Sequence, residues 1–251
     1  RYEIKSGSFA SEFYSSYKPY SRNSVIALVD SLQKDSVNFS KTDRFNLDYL
    51  TIDNWTSANS TVQISKKPIL KHFYKTKSDF YSVNTKDFKL RVNPVMYLQA
   101  GKDNTYAGNL YTNTRGVTVE GMIDDKVGFY TFMADNQMNV PNYVDDYVSK
   151  FEVLPGQGFL KSIKDSSGTR ISNSNDFFTA RGYITVNATK HINVQFGHDR
   201  NFVGNGYRSL ILSDFSPNYF FLKLTTKIWK FQYTNLLTEM QAEPKGNGPD
   251  R

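Results

Sequence analysis

Over the C-terminal two thirds of the chain, apolar side chains recur at every second position. Phe220, Leu222 and Leu224 alternate with Lys223 and Thr225, and Trp229, Phe231 and Tyr233 alternate with Lys230, Gln232 and Thr234. The same period runs through Phe88, Leu90 and Val92, through Val117 and Val119, and through Ile192, Val194 and Phe196. Successive side chains of an extended strand point to opposite faces, so each segment has one apolar and one polar side. The last two segments are each roughly ten residues long, the length a tilted strand needs to cross a bilayer core. A helical membrane protein is excluded, because no run of about 18 apolar residues is present and mean hydropathy is -0.54. Strands that alternate keep the average low even where one side is greasy.

The alternation predicts roughly seven strands, near residues 87–99, 110–122, 126–135, 178–189, 191–198, 216–226 and 228–240. Tight turns at Asp124-Asp125, around Lys190 and around Lys227 alternate with long polar or Gly-rich connections over 100–109, 136–177 and 199–215. Short turns on one side and long loops on the other are the arrangement of outer-membrane barrels. An odd strand count, with 241–251 in an outer loop, leaves two edges that lipid cannot satisfy. The expectation is that further strands, in this chain or in another, complete the sheet.

Residues 1–84 read differently. Val25, Ile26, Leu28, Val29 and Leu32 fall at helical spacings, and Phe45, Leu47 and Leu50 follow Asp43 in a second short helix. This region is expected to be a helical or irregular periplasmic or plug element, and 85–251 the N-terminal part of the barrel. The start, Arg1-Tyr2-Glu3-Ile4, carries no apolar signal region, and the expectation is that an export signal has been removed.

Composition narrows the chemistry. The 17 Tyr and 19 Phe suit the aromatic girdles of a barrel, and a net charge of +7 suits acidic glycans or lipopolysaccharide. The basic residues are scattered rather than clustered, so nucleic acid is not an expected partner. With no Cys, disulfides, thiolate metal sites and Cys nucleophiles are all absent. His72, His191 and His198 have no metal-ligand spacing, and neither a metal nor a cofactor is expected.

Residues 197–214, GHDRNFVGNGYRSLILSD, are the most distinctive stretch. They resemble the signature of the Wzi-type capsule-assembly outer-membrane family: a strand ending in Gly, an Arg, two bulky residues, a Gly-x-Gly loop, a Ser-Leu-Leu-Leu-Ser run and a Pro-containing turn. Here those elements are Gly197, Asp199, Arg200, Gly204, Gly206, Ser213, Asp214 and Pro217. Asn218 to Tyr233, Asn113 to Gly116, Pro155 to Gly158 and Ala180 to Tyr183 resemble Bacteroidota members, with fainter similarity at 16–20. The pair Asn201-Phe202 departs from the enterobacterial form, where two Trp are usual. The resemblance implies an all-β transmembrane barrel of about eighteen antiparallel strands with a helical N-terminal plug. It also implies attachment or organisation of capsular or other exopolysaccharide at the cell surface.

Individual residues carry two readings each. Arg200 and Arg208 could meet glycan carboxylates in bidentate fashion, or pair with Asp199 and Asp214 to hold a loop. Tyr106, Tyr111, Tyr143 and Tyr207 fall in or near outer loops, where rings stack on sugars or simply pack, whereas Trp229, Phe231 and Tyr233 read as lipid-facing. Gly204 and Gly206 permit a tight excursion, and the strand-like residues after them exclude a dinucleotide fingerprint. His198-Asp199 point to opposite faces, Asp145-Asp146 read as a solvated loop or short helix, and Asp124-Asp125 as turn chemistry. No catalytic residue is therefore assigned. The leading expectation is a non-enzymatic glycan organiser in the outer membrane, in contact with lipid and lipopolysaccharide, with other outer-membrane proteins as further candidate partners. The alternatives are a scaffold subunit of a larger outer-membrane assembly, such as a secretion or gliding machine, and a soluble extracellular glycan-binding β-protein.

Overall fold

The computed structural model describes residues 1–7, 14–34, 39–58, 63–159 and 161–240. Residues 241–251, expected as an outer loop, lie outside the described residues. The chain divides into two compact units, Arg1–Val92 with Asn201–Ser213, and Asn93–Arg200 with Asp214–Arg251.

The first unit contains α1 (Tyr2–Ser6), α2 (Arg22–Lys34) and α3 (Lys41–Asp53). Ile26, Val29 and Leu32 form the buried stripe of α2, and Val29 and Leu32 pack on Leu47 of α3 with Tyr2, Phe39 and Leu50 around them. Phe45, read as part of the same apolar face, points to solvent instead. A capping box starts α3: Ser40 Oγ accepts the Asp43 N–H at 3.2 Å, and the Asp43 carboxylate accepts the Ser40 N–H. The buried Asp43 also accepts from Arg1 at 3.0 Å and from Lys5.

The C-terminal end of α3 is fastened by cations, as its partial negative charge favours. Arg22 and Arg91 each donate to the Asp53 carbonyl at 2.8 Å. Arg91 Nε also donates to Asp79 Oδ1 at 2.8 Å, and Asp79 Oδ2 accepts from Trp55 Nε1 and from Ser78 Oγ. Arg91 lies where β1 (Tyr81–Asn84) pairs with the first residues of β2 (Phe88–Gly101).

The second unit holds the rest of β2, then β3 (Leu110–Ile123), β4 (Val127–Asn139), α4 (Asn142–Phe151), β5 (Lys161–Lys164), β6 (Arg170–Asn187), β7 (Ile192–Asp199), β8 (Tyr219–Ile228) and β9 (Phe231–Glu239). The nine strands form one sheet in the order β9-β8-β7-β6-β4-β3-β2-β1, with β5 pairing β6. All pairings with a defined register are antiparallel, and among the described residues the sheet is open rather than closed on itself. Among the described residues no helix is long and apolar enough to cross a membrane.

The seven predicted strands are present, joined by two short ones, β1 and β5. Asp124 and Asp125 have φ of 50° and 52°, a left-handed pair in the three-residue turn between Ile123 and Val127. The β8–β9 turn takes Trp229 and Lys230, so Trp229 sits at the turn rather than in the strand. The main difference is that β6 begins at Arg170, eight residues before the predicted 178, and β4 runs on to Asn139. Those extensions lack apolar alternation. They are held by amide side chains: Asn136 Nδ2 donates to the Phe177 carbonyl at 3.1 Å and to Thr179 Oγ1 at 3.0 Å, while its Oδ1 accepts from Thr114.

The register sorts side chains from β3, β4, β6, β7, β8 and β9 onto two faces. One carries Val117, Val119, Ile123, Phe129, Met133, Phe178, Ile184, Val186, Ile192, Val194, Phe196, Phe220, Leu222, Leu224, Ile228, Phe231, Tyr233 and Leu237. The other is mainly polar, with Glu120, Thr118, Tyr130, Arg181, Tyr183, Thr185, Asn193, Gln195, Asp199, Lys223, Thr225 and Lys227, and it also carries Phe132, Ala134, Phe177, Tyr219 and Phe221. Among the described residues, every buried one in these strands lies on the second, mainly polar face. Phe196, Ile184, Ile228, Phe231 and Leu237 are exposed on the apolar one. Towards the long-connection end the apolar face turns polar, with Arg115 and Asp135 3.7 Å apart and Asn113, Gln137 and Asp176 beside them.

Candidate functional site

The long connections of the second unit converge on Arg200, the residue after β7. Its guanidinium donates from Nε to Asn218 Oδ1 at 3.0 Å, from Nη1 to the Asp214 carbonyl at 2.7 Å and from Nη2 to Gln157 Oε1 at 3.2 Å. Asn218, just after Pro217, passes the contact on to the Ala180 carbonyl of β6. Burial, and then the nearby Arg181, push the Arg200 guanidinium below its ordinary range. Arg200 thus ties three stretches of chain together. Its named partners are an amide, a backbone carbonyl and a second amide. The expected loop-holding carboxylate of Asp199 instead accepts the backbone N–H of Arg200 at 2.8 Å.

One further loop, the 102–109 connection, is stitched to the strand end and helix start at 139–142. Asn142 Nδ2 donates to the Thr105 carbonyl at 2.7 Å and Asn139 Nδ2 to the Asn109 carbonyl at 3.3 Å. These bonds bring the connection carrying Tyr106 up to the start of α4, which carries Tyr143. Tyr106 is half-buried, lying over Gly108 where a Cβ would sit 2.5 Å from its ring, whereas Tyr143 is exposed. Tyr147, one helical turn beyond Tyr143 and with its ring tilted against that of Phe151 at 4.6 Å, extends the aromatic row and was not singled out by sequence. Its i, i+4 spacing from Tyr143 is the signal that marks it.

Residues Asn201–Ser213 of the signature belong to the first unit. Residues Phe202 and Val203 pair with Lys18 and Tyr17, and Gly204, at φ 126°, donates its N–H to the Ser16 carbonyl at 2.7 Å. The faint similarity at 16–20 and the signature loop are therefore one structural piece. Ser209, donating to the Val203 carbonyl and accepting the N–H groups of Ile211 and Leu212, shapes the turn. Gly206 is required there because a Cβ would meet the Arg208 carbonyl at 2.8 Å. The turn leaves Tyr207, Leu210 and Ile211 fully exposed, with the Arg208 guanidinium 5.2 Å from the Tyr207 ring. Ser213 is half-buried at the end of this piece. The five glycan candidates thus fall in both units: Arg200, Tyr106 and Tyr143 in one, Tyr207 and Arg208 in the other.

On the polar face, Gly197 lies opposite Tyr183, whose ring stacks on Tyr130 at 5.1 Å. Arg181 lies over the Phe132 ring at 4.1 Å and 3.9 Å from Asp199. Further along the same face Gln195 pairs with Lys223, and both are buried. Arg181, Gln195 and Lys223 were legible by parity alone, as the residues alternating with the apolar ones. His198, on the apolar face, places Nδ1 3.2 Å from the Ala180 carbonyl, away from Asp199. Asp145 accepts the Asn173 N–H at 2.8 Å and is structural. Among the described residues no three His, Asp or Glu side chains converge as metal ligands.

Comparison with protein-family models, curated proteins and solved structures gave no match.

Proposed function

We propose that the chain is part of an outer-membrane β-barrel that organises an acidic surface polysaccharide, without catalysis. The observation that carries the membrane half is the inversion of burial: the six central strands bury their polar face and expose their apolar one. In water that arrangement costs about 25 cal/mol for each Å² of apolar area left wet. It is favourable where the apolar face meets lipid and the polar one a lumen. A soluble β-protein would pack its apolar faces together, so the inversion supports the membrane reading over the soluble one.

The dimensions agree. The nine paired residues Phe220–Ile228 of β8, at ~3.4 Å each and tilted by ~40°, span ~21 Å, close to the ~25 Å apolar band of such barrels. Trp229 and Phe231 sit at the tight-turn end of this band, where aromatic girdles lie.

The polysaccharide half rests on the resemblance of 197–214 and on the Tyr- and Asn-rich loops joined at Asn142. Titrating the vesicle-embedded protein with an acidic polysaccharide tests it, with saturable binding expected and no binding at low salt counting against it. A scaffold role in a larger outer-membrane assembly is the second reading. It is favoured by Leu210 and Ile211, which present aliphatic rather than sugar-stacking side chains at the tip of the signature loop. Purification in mild detergent separates the two, since a lone species on native gels would dispose of the scaffold.

A further inference from the structure

We infer that the first unit holds a binding site for an acidic sugar, in the cleft between the 63–77 hairpin and β1. The inference rests on the polysaccharide reading above and gives it a site built from residues other than the loop residues named so far.

The cleft follows from how the hairpin folds. Its arms pair through the Ser65 N–H, which donates to the Lys75 carbonyl at 2.9 Å, and the Lys77 N–H, which donates to the Gln63 carbonyl at 2.8 Å. Ile69 and Phe73 bridge at the turn, and Phe73 stacks on Phe80 with ring centroids 4.5 Å apart. Thr76 Oγ1 and Ser82 Oγ, 2.9 Å apart, tie the second arm to β1. These parts and the buried Trp55 line a cleft of about 470 Å³. That volume lies in the ~300–1,000 Å³ range of small-ligand sites, so the cleft takes a short piece of a glycan rather than a length of polymer. The Trp55 indole is fixed by its hydrogen bond to Asp79, so this wall is formed before any ligand arrives.

Two observations name the ligand. Gln63 lines the cleft and is only 8% exposed, yet its Oε1 has no donor among the described residues. A buried carbonyl oxygen left without a donor is destabilising, and a hydroxyl entering the cleft supplies one. The second observation is charge. Residues 63–77 carry Lys66, Lys67, Lys71, Lys75 and Lys77 and no Asp or Glu, a concentration that the scatter of basic residues along the whole chain conceals. Lys75 and His72 line the cleft and are exposed. Asp79, the next carboxylate along the chain, is already paired with Arg91 at 2.8 Å, which leaves the field over the hairpin positive.

A hydroxylated anion meets both requirements. The carboxylate of a uronic acid answers the Lys75 ammonium, and a ring hydroxyl donates to Gln63 Oε1. Tyr81, exposed and in the lining, offers a ring to the apolar side of the sugar. An ionised phosphate, free or on a lipid headgroup, brings the charge without a donor for Gln63.

Calorimetric titration of the folded protein in detergent with a short oligogalacturonate tests this, against a neutral maltooligosaccharide of equal length and inorganic phosphate. The acidic sugar is expected to bind saturably, and about tenfold or more tighter than either control. Gln63→Leu replaces the unsatisfied amide by an apolar side chain of similar size, so it should keep the fold and weaken binding by about tenfold. Lys75→Ala, at an exposed position, should weaken it several-fold, with the difference shrinking at high salt. Equal affinity for phosphate would show a general anion site and overturn the assignment. Acidic-sugar binding that both variants leave unchanged overturns it as well. Polygalacturonate titrated into the same samples separates the two levels: polymer bound equally by wild type and both variants sinks only the cleft, whereas polymer that the wild type does not bind sinks the polysaccharide reading with it.

Discussion

Gln195 and Phe196 are adjacent in β7, yet the amide is 6% exposed and the aromatic ring 57% exposed. Their order of burial is the reverse of what water selects, and it repeats across the sheet. Placing a charge on each of the two faces therefore gives opposite outcomes.

Phe196→Lys puts an ammonium on the apolar face near mid-strand. In lipid this should cost roughly 2–4 kcal/mol and lower the urea midpoint of the vesicle-embedded protein. Gln195→Lys, facing the polar side, should cost less. A soluble protein would show the opposite order, with Phe196→Lys improving solubility at little cost.

Gly197 is confined by its partner strand, not by φ. A Cβ there would lie 2.3 Å from the Gly182 carbonyl and 2.5 Å from Tyr183. Gly197→Ala is expected to destabilise the sheet by about 1–3 kcal/mol through overpacking, measured by the same denaturation. An unchanged midpoint would show that β6 and β7 move apart freely.

Asp79 and Arg91 form a buried ion pair, 0% and 4% exposed at the side chain. Asp79→Ala leaves Arg91 its second, half-exposed carboxylate partner Asp53 at 3.2 Å but takes the acceptor from Trp55 Nε1, so it should cost the first unit about 2–3 kcal/mol, less than the loss of a sole buried partner. Replacing both with apolar residues of similar volume should cost far less. A double-mutant cycle on thermal unfolding distinguishes the two.

Asp43 gives a pH dependence with a defined sign. The Lys5 hydrogen bond first, then that of Ser40, hold its carboxyl down to about 2 from an ordinary 3.8, against burial, which pushes it up. The folded state thus binds this proton less readily than the unfolded one. The stabilisation is complete above roughly pH 4 and is lost as pH falls towards about 2. Helix content followed by circular dichroism should decline across that window in the wild type and more shallowly in Asp43→Asn.

The strands were legible because the two faces of the sheet differ in polarity and burial, which imposes a period of two that survives in sequence. Phe196 and Val194, or Phe231 and Tyr233, carry it openly. The extensions of β4 and β6 through Asn136, Asn173 and Asn175 did not, because they are held by amide ladders that leave no hydropathy signal. Nor did the pairing of Tyr17 and Lys18 with Phe202 and Val203, which lie far apart in the chain and meet over only two residues. Arg200 was found as a residue but not by its partners, since Gln157, Asp214 and Asn218 come from separate loops. Which face is buried is likewise a tertiary fact: alternation gives two faces and does not say which one meets the interior.

That last point is the centre of the account, and the absence of native cysteine makes it directly measurable. Single cysteines at positions 195, 196, 183 and 184, labelled with a small fluorophore in lipid vesicles, can be challenged with lipid-attached and water-soluble quenchers. Labels replacing Phe196 and Ile184 should be quenched from the lipid, and those replacing Gln195 and Tyr183 should not. Equal insensitivity of all four to the lipid quencher would contradict an apolar face that meets the membrane.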